Sequence, residues 1–341
     1  MAKQVYLNKR EGKGKEIATI VVILLVVLTG ALALFWLMSG DGESGGGSSG
    51  APTALSPGME GDGDLSASDK ESEFAGDFFT LSTKDVKSLW AMIRDSNRVR
   101  SNRQYEAVIN NSRLIYAVRD DRVNACSFFE DEQQVRNPRV VLFGGEARFE
   151  RLIAYARAID LESGTTNAVR MLVSKLTRKD MGFMPEARAR QLYCECGFTN
   201  VLNEASFAKD AASGSKIVAR RIKAQADKIT SGIILGTLAH EAGHIALGHG
   251  HDSGLSKANL DVSRNQEREA DSFGSSIMAS SPYGSYMFES TLFSWLVIAL
   301  KESGVESDHP LARERFENIV RSNKKLAQEI GIDLDSKGED D

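Results

Sequence analysis

His240 and His244 stand four residues apart, and Glu241 directly follows the first of them. On a helix that spacing puts both imidazoles on one face, about one turn apart. Two imidazoles so placed can hold one metal ion from the same side, with the glutamate within reach of water at the metal. This is the H-E-x-x-H arrangement, in which the glutamate serves as general base. The stretch GTLAHEAGHIALGHGHD, Gly236 to Asp252, contains four of the chain's five histidines. Ile233, Ile234, Thr237 and Leu238 before the pair and Ile245 and Leu247 after it continue a helical pattern, which Gly248 and Gly250 are suited to stop.

A catalytic zinc site needs a third protein ligand and an open position. SRNQEREADSFGSSIM, beginning at Ser263, supplies one. Ser263 and Gln266 fit a capping box, so a helix is expected to start there. Glu267 and Asp271 are four apart and share a face. Glu267 is assigned as the third ligand. Asp271 is placed to accept a hydrogen bond from a ligand histidine and fix its tautomer. Gly274 continues the face and would admit another helix closely, whereas Glu269 points elsewhere. The cofactor expected is Zn²⁺, held by His240, His244 and Glu267.

HEAGHIALGH followed by EREAD resembles the gluzincin metallopeptidases that include HtpX and the CaaX prenyl proteases. Their H-E-x-x-H and later E-x-x-x-D map onto His240, Glu241, His244, Glu267 and Asp271. VRDDRVNACSFF with PRVVLFGG is similar to the family's Asn-Ala segment and the strand after it. SDHPLARERF is similar to its His-Pro motif, here His309, with Arg315 six residues on. The resemblance spans roughly Leu81 to Ile332. It implies a zincin-type fold, α+β and mostly helical with a small sheet. It also implies cleavage of protein or peptide substrates, misfolded envelope proteins among them. About ninety residues separate Gly145 from the histidines, more than the family usually has, so a helical insertion is expected at about 146–228.

The resemblance suggests His309 either as a donor to the tetrahedral intermediate or as a removable fourth ligand. Asp308 and Pro310 equally suit a helix start with His309 between them. Arg315 either ties its helix to an acidic residue such as Asp271 or is an ordinary surface arginine. His249 and His251 follow the helix stop without the four-residue spacing to His244, and read as structural or peripheral. RVVLFGG, ending in two glycines, reads as an edge strand beside a cleft, where an extended substrate could add itself.

Ile17 to Met38 carries no charge and is long enough to span a bilayer. Basic residues precede it and acidic ones follow, which places residues 1–16 in the cytoplasm and the main domain outside, periplasmic or extracellular. A cleaved signal peptide would have a shorter apolar run and a better cleavage site than FWLMSGDG. Residues 39–76 are Gly/Ser-rich and acidic and suit a tether. A zinc metallopeptidase domain is expected over 77–335, opening with a helix that turns Leu89, Trp90 and Ile93 inward, and a charged tail over 336–341. STLFSWLVIAL is short for a second span and reads as a core helix.

With a net charge of -5, nothing suggests a nucleic-acid partner, which would usually show a basic face. Three cysteines, Cys126, Cys194 and Cys196, form no disulfide framework. The partners expected are a protein or peptide substrate and, through the anchor, the lipid bilayer. A competing class is a membrane-tethered chaperone-like or binding module with structural zinc. That would need a fourth permanent ligand, and it leaves Glu241 without a use.

Overall fold

The computed structural model describes residues 81–131, 136–199, 214–249, 260–280, 284–299 and 312–329. The expected anchor at Ile17 to Met38, the tether, the charged tail, His251 and His309 with Asp308 and Pro310 lie outside them. Among the described residues no helix is long and apolar enough to cross a membrane.

The architecture is mostly helical with one small sheet. Helix α1 (Thr83–Asp95) is capped by the Ser82 hydroxyl and buries Val86, Leu89, Trp90 and Ile93. Short helices α2 (Asn97–Arg100) and α3 (Arg103–Asn110) lead into strands β1 (Arg113–Ala117), β2 (Ala125–Asp131) and β3 (Arg136–Phe143). β3 pairs in parallel with β1 and antiparallel with β2. It is therefore the central strand, not the expected edge. Its run Val140 to Phe143 is buried throughout, and a strand buried on both faces reads as continuous apolar sequence rather than alternation. β2 is the edge. The two glycines after β3 begin helix α4 (Gly144–Ser163). The Asp121–Arg122 backbone crosses so close that a Cβ on Gly145 would fall 2.1 Å from the Asp121 carbonyl oxygen.

α4 is buried on nearly every side. Its charged groups are met by partners from separate elements: Arg148 with Asp121, Arg151 with Asp227 and Arg157 with Glu289. α5 (Asn167–Lys175) and α6 (Glu186–Glu195) pack beside it. Asp160 caps α5 by accepting from the Ala168 and Val169 N–H groups at 2.8 and 2.9 Å.

Helix α7 (Gly214–Leu247) is one continuous 34-residue helix. The helical insertion expected at about 146–228 thus ends inside this helix, whose residues 214–228 run unbroken into the histidine segment. Nothing in KIVARRIKAQADKI breaks the helix, so the segment forms the histidine helix's own first half. That half packs Ile222, Ala226, Ile229 and Ile233 into a core with α4–α6. The second half packs Ile234, Leu238, Ala242 and Ile245 into a core with α1 and the sheet. Helix α8 (Leu260–Ala279) starts three residues before the expected Ser263, with Asp261 in its first turn, where a carboxylate complements the helix dipole. α9 (Gly284–Ala299) holds the apolar STLFSWLVIA and is a core helix. α10 (Ala312–Ser322) and α11 (Lys324–Glu329) complete the described chain.

Candidate metal centre

α7 and α8 cross where both lack side chains. A Cβ on Gly274 would meet the His240 backbone nitrogen at 3.0 Å, and one on Gly243 would meet the Ala270 Cα at 3.0 Å. This close approach, anticipated for Gly274, carries Glu267 up to the histidine pair. His240 Nε2 lies 3.1 Å from His244 Nε2 and 3.3 Å from Glu267 Oε2. His244 Nε2 lies 3.5 Å from Glu267 Oε1. Tetrahedral zinc with ligand bonds near 2.0–2.1 Å requires ligand atoms about 3.3 Å apart. The three groups thus have both the donor chemistry and the spacing of one face of a zinc tetrahedron.

Asp271 stands where the sequence placed it, 2.9 Å from His240 Nδ1. Arg315 reaches it from α10 with both arms of its fork, Nη2 to Oδ1 at 2.6 Å and Nε to Oδ2 at 3.0 Å. The same guanidinium lies 3.7 Å from Glu267 Oε2 and stacks 3.9 Å above the Trp295 ring. Of the two readings of Arg315, the buried tie to Asp271 is the one observed.

The electrostatics follow from burial and these partners. Burial alone would raise the Asp271 carboxyl, but Arg315 and His240 outweigh it and hold it below the ordinary value. For His240, burial and Arg315 oppose protonation, yet hydrogen bonds to Asp271 and Glu267 lift its pKa to about 9. Burial and the neighbouring His240 push His244 down to about 3. Glu241 is raised by burial, against the lowering effects of His240 and a hydrogen bond with Ser127.

These groups line a cavity of about 370 Å³. One wall is the edge strand β2 with the residue before it, Asn124 to Ser127 and Phe129. The Asn-Ala segment is thus at the site, and β2 takes the position expected of RVVLFGG. Glu146 and Glu150 from α4 and Thr291, Ser294 and Trp295 from α9 also line the cavity. Ser294 Oγ lies 2.8 Å from each Glu150 carboxylate oxygen. Glu146 is pushed up to about 7 by burial and the nearby Glu241. The sequence alone does not single out these two glutamates, because α4 falls in the expected helical insertion, whose place at the cleft no local pattern gives. Their four-residue spacing at the head of an otherwise core-facing helix was the available signal.

His249 is likewise closer than expected. It lies against His244, Nδ1 to Nδ1 at 3.0 Å, and its Nε2 lies 3.1 Å from Glu269 Oε2. Of the two readings of His249, structural or peripheral, its contact with His244 fits the structural one. Gly248, with φ +76, reverses the chain so that the next side chain folds back over the helix end. The three thiols are free, Cys126 on β2 and Cys194 and Cys196 at the end of α6.

Residues 209–329 match the model of the family described as Peptidase U49. The match is to a peptidase family and supports a peptide hydrolase. It takes in α7 to α11, and so both helices of the His-His-Glu group, and covers about a third of the chain. No curated protein and no solved structure matches.

Proposed function

We propose that this chain is a zinc-dependent endopeptidase of the gluzincin type, tethered to a membrane by Ile17 to Met38 with its catalytic domain on the non-cytoplasmic side. The observation that carries the catalytic part is the triangle of His240 Nε2, His244 Nε2 and Glu267 carboxylate oxygens, with sides of 3.1 to 3.5 Å, beside a buried Glu241. Zinc held there would supply a Lewis acid that polarises a scissile carbonyl and acidifies water. Glu241 would take the proton from the attacking water and deliver it to the leaving amine. Burial favours this role, since it raises the carboxyl toward the pH at which it must both accept and release a proton.

Asp271 accepts from His240 Nδ1 and so leaves Nε2 for the metal, while Arg315 holds Asp271 in register. The β2 edge along the cavity suits an extended peptide, which could add to it by main-chain hydrogen bonds. His309 is retained as a proposed participant, donor or removable ligand, on the family resemblance alone. The anchor rests on the hydropathy and flanking charge of the sequence.

The test is incubation of the full-length chain with an unfolded protein and Zn²⁺, beside Glu241→Gln, read by mass spectrometry. Cleavage by the wild type should fall by about 10²-fold or more in the variant while zinc is retained. Equal cleavage by both would overturn the reading.

A further inference from the structure

We propose that His249 and Glu269 form an outer relay that fixes the tautomer of His244 and directs its Nε2 lone pair at the metal position. The proposal rests on the zinc reading above and names a positioning residue that the H-E-x-x-H spacing does not contain.

The argument is one of donors and acceptors. Glu269 is a carboxylate and can only accept, so the N–H of His249 belongs on Nε2, 3.1 Å away. Asn265 donates to the other Glu269 oxygen at 2.9 Å and holds the carboxylate in place. A neutral imidazole carries one N–H, so His249 Nδ1 is then an acceptor. It faces His244 Nδ1 at 3.0 Å. Two acceptors cannot face each other at that distance, so His244 carries its proton on Nδ1. Its Nε2 is left with the lone pair, aimed at His240 Nε2 and Glu267.

The two ligand histidines are thus set in the same way by different means. Asp271 orients His240 directly, and Glu269 orients His244 through a second imidazole. The rings are held by packing as well: His244 and His249 meet edge to face with centroids 5.1 Å apart, and only 8% of the His249 side chain is exposed. Gly248 makes the return possible, because its φ of +76 is a conformation that residues with a Cβ rarely adopt. Glu269 leaves the Glu267 face of α8 because it is there to meet His249, not a metal.

Two variants separate the relay from mere packing. In His249→Asn, the side-chain oxygen falls near the position of Nδ1 and can still accept from His244. In His249→Phe, the ring remains but no acceptor does. Zinc affinity of the full-length chain is measured by chelator competition, with melting of the metal-free protein recorded alongside. His249→Phe should weaken zinc binding by about 10- to 100-fold. His249→Asn should keep most of it, within about threefold of wild type. Unchanged affinity in His249→Phe, or equal losses in both variants, would overturn the relay. Should His249→Phe fail to fold, Glu269→Leu, altered at a half-exposed side chain, carries the test and should also lose affinity, while unchanged binding there would overturn the proposal. His244→Ala is the control for the underlying reading. Zinc retained in His244→Ala removes the metal assignment itself, whereas zinc lost there but kept in His249→Phe removes only the relay.

Discussion

Gly274 of α8 lies against the backbone of His240 on α7, so near that a Cβ there would fall 3.0 Å from the His240 nitrogen and 3.2 Å from the Ala239 carbonyl carbon. Backbone on both sides leaves no flexible side chain to yield. Gly274→Ala must push the helices apart by a few tenths of an ångström, and Gly274→Val by more. Overpacking of this kind costs about 1–3 kcal/mol. Glu267 rides on the same helix two turns earlier, so the displacement should also reach the metal triangle. The expected outcome is a graded loss of zinc affinity, Val worse than Ala, alongside a graded fall in melting temperature. A Gly274→Val protein with wild-type affinity and stability would show that the helix crossing does not set the site.

What was legible in the sequence divides along physical lines. His240, Glu241, His244, Glu267 and Asp271 could be read because helical spacing is local and the chemistry demands those types. Gly274 could be read because a glycine on the ligand face has few other uses. The order of the sheet could not. Whether β3 is central or at the edge depends on where β1 docks, and both positions tolerate RVVLF. Glu146 and Glu150 depend on α4 docking against α7 and α9, a contact between residues as far apart in sequence as Glu150 and Ser294. The contact of His249 with His244 could not be read for a narrower reason: it needs the positive φ at Gly248, and Gly248 was read only as a helix stop.

Arg315 and Asp271 should behave as a buried pair. Both side chains are nearly closed to solvent, 9% and 2% exposed, and the fork meets both carboxylate oxygens. Removing one partner of such a pair leaves the other charge uncompensated, at a cost of about 3–5 kcal/mol. Arg315→Met should therefore destabilise the chain by that order in denaturant unfolding. Arg315→Lys should recover part of the loss, since it keeps the charge but not the paired bonds. A loss below about 0.5 kcal/mol for Arg315→Met would mark Arg315 as an ordinary surface residue.

Asp180 should make part of the stability acid-sensitive. Burial would raise its carboxyl, but hydrogen bonds from Arg188 and from the Thr177 amide and hydroxyl prevail, and its pKa lies below the ordinary 3.8. A carboxyl lowered in the folded state contributes fully above its unfolded value and loses that contribution as pH falls through the folded one. The loop it secures carries Gly182 and Met184, which bond to Val123 and Asp121 just before the cavity wall at Asn124. Asp180→Asn should melt below wild type near neutral pH, and the difference should shrink as pH approaches about 3. A gap that stays constant with pH would mean the carboxylate charge contributes nothing.

Glu150 gives the opposite expectation, that a charge-removing substitution should be nearly silent. Its side chain lies in the interior, 2% exposed, beside Glu146 and with no cation bonded to it among the described residues; burial and Glu146 push its pKa well above the ordinary 4.5, although the Ser294 hydroxyl works the other way. Burial without a compensating cation favours the protonated form of such a carboxyl, because an uncompensated buried charge is costly. Glutamine has the same length and can still accept from Ser294 Oγ while donating from its amide. Glu150→Gln should therefore change stability by less than about 1 kcal/mol at neutral pH. Glu150→Ala, which leaves Ser294 facing a void, should cost about 2 kcal/mol or more. Denaturant titrations of the two variants decide the matter: a large loss in Glu150→Gln would show that the carboxylate is ionised and held by a partner at the bottom of the cavity.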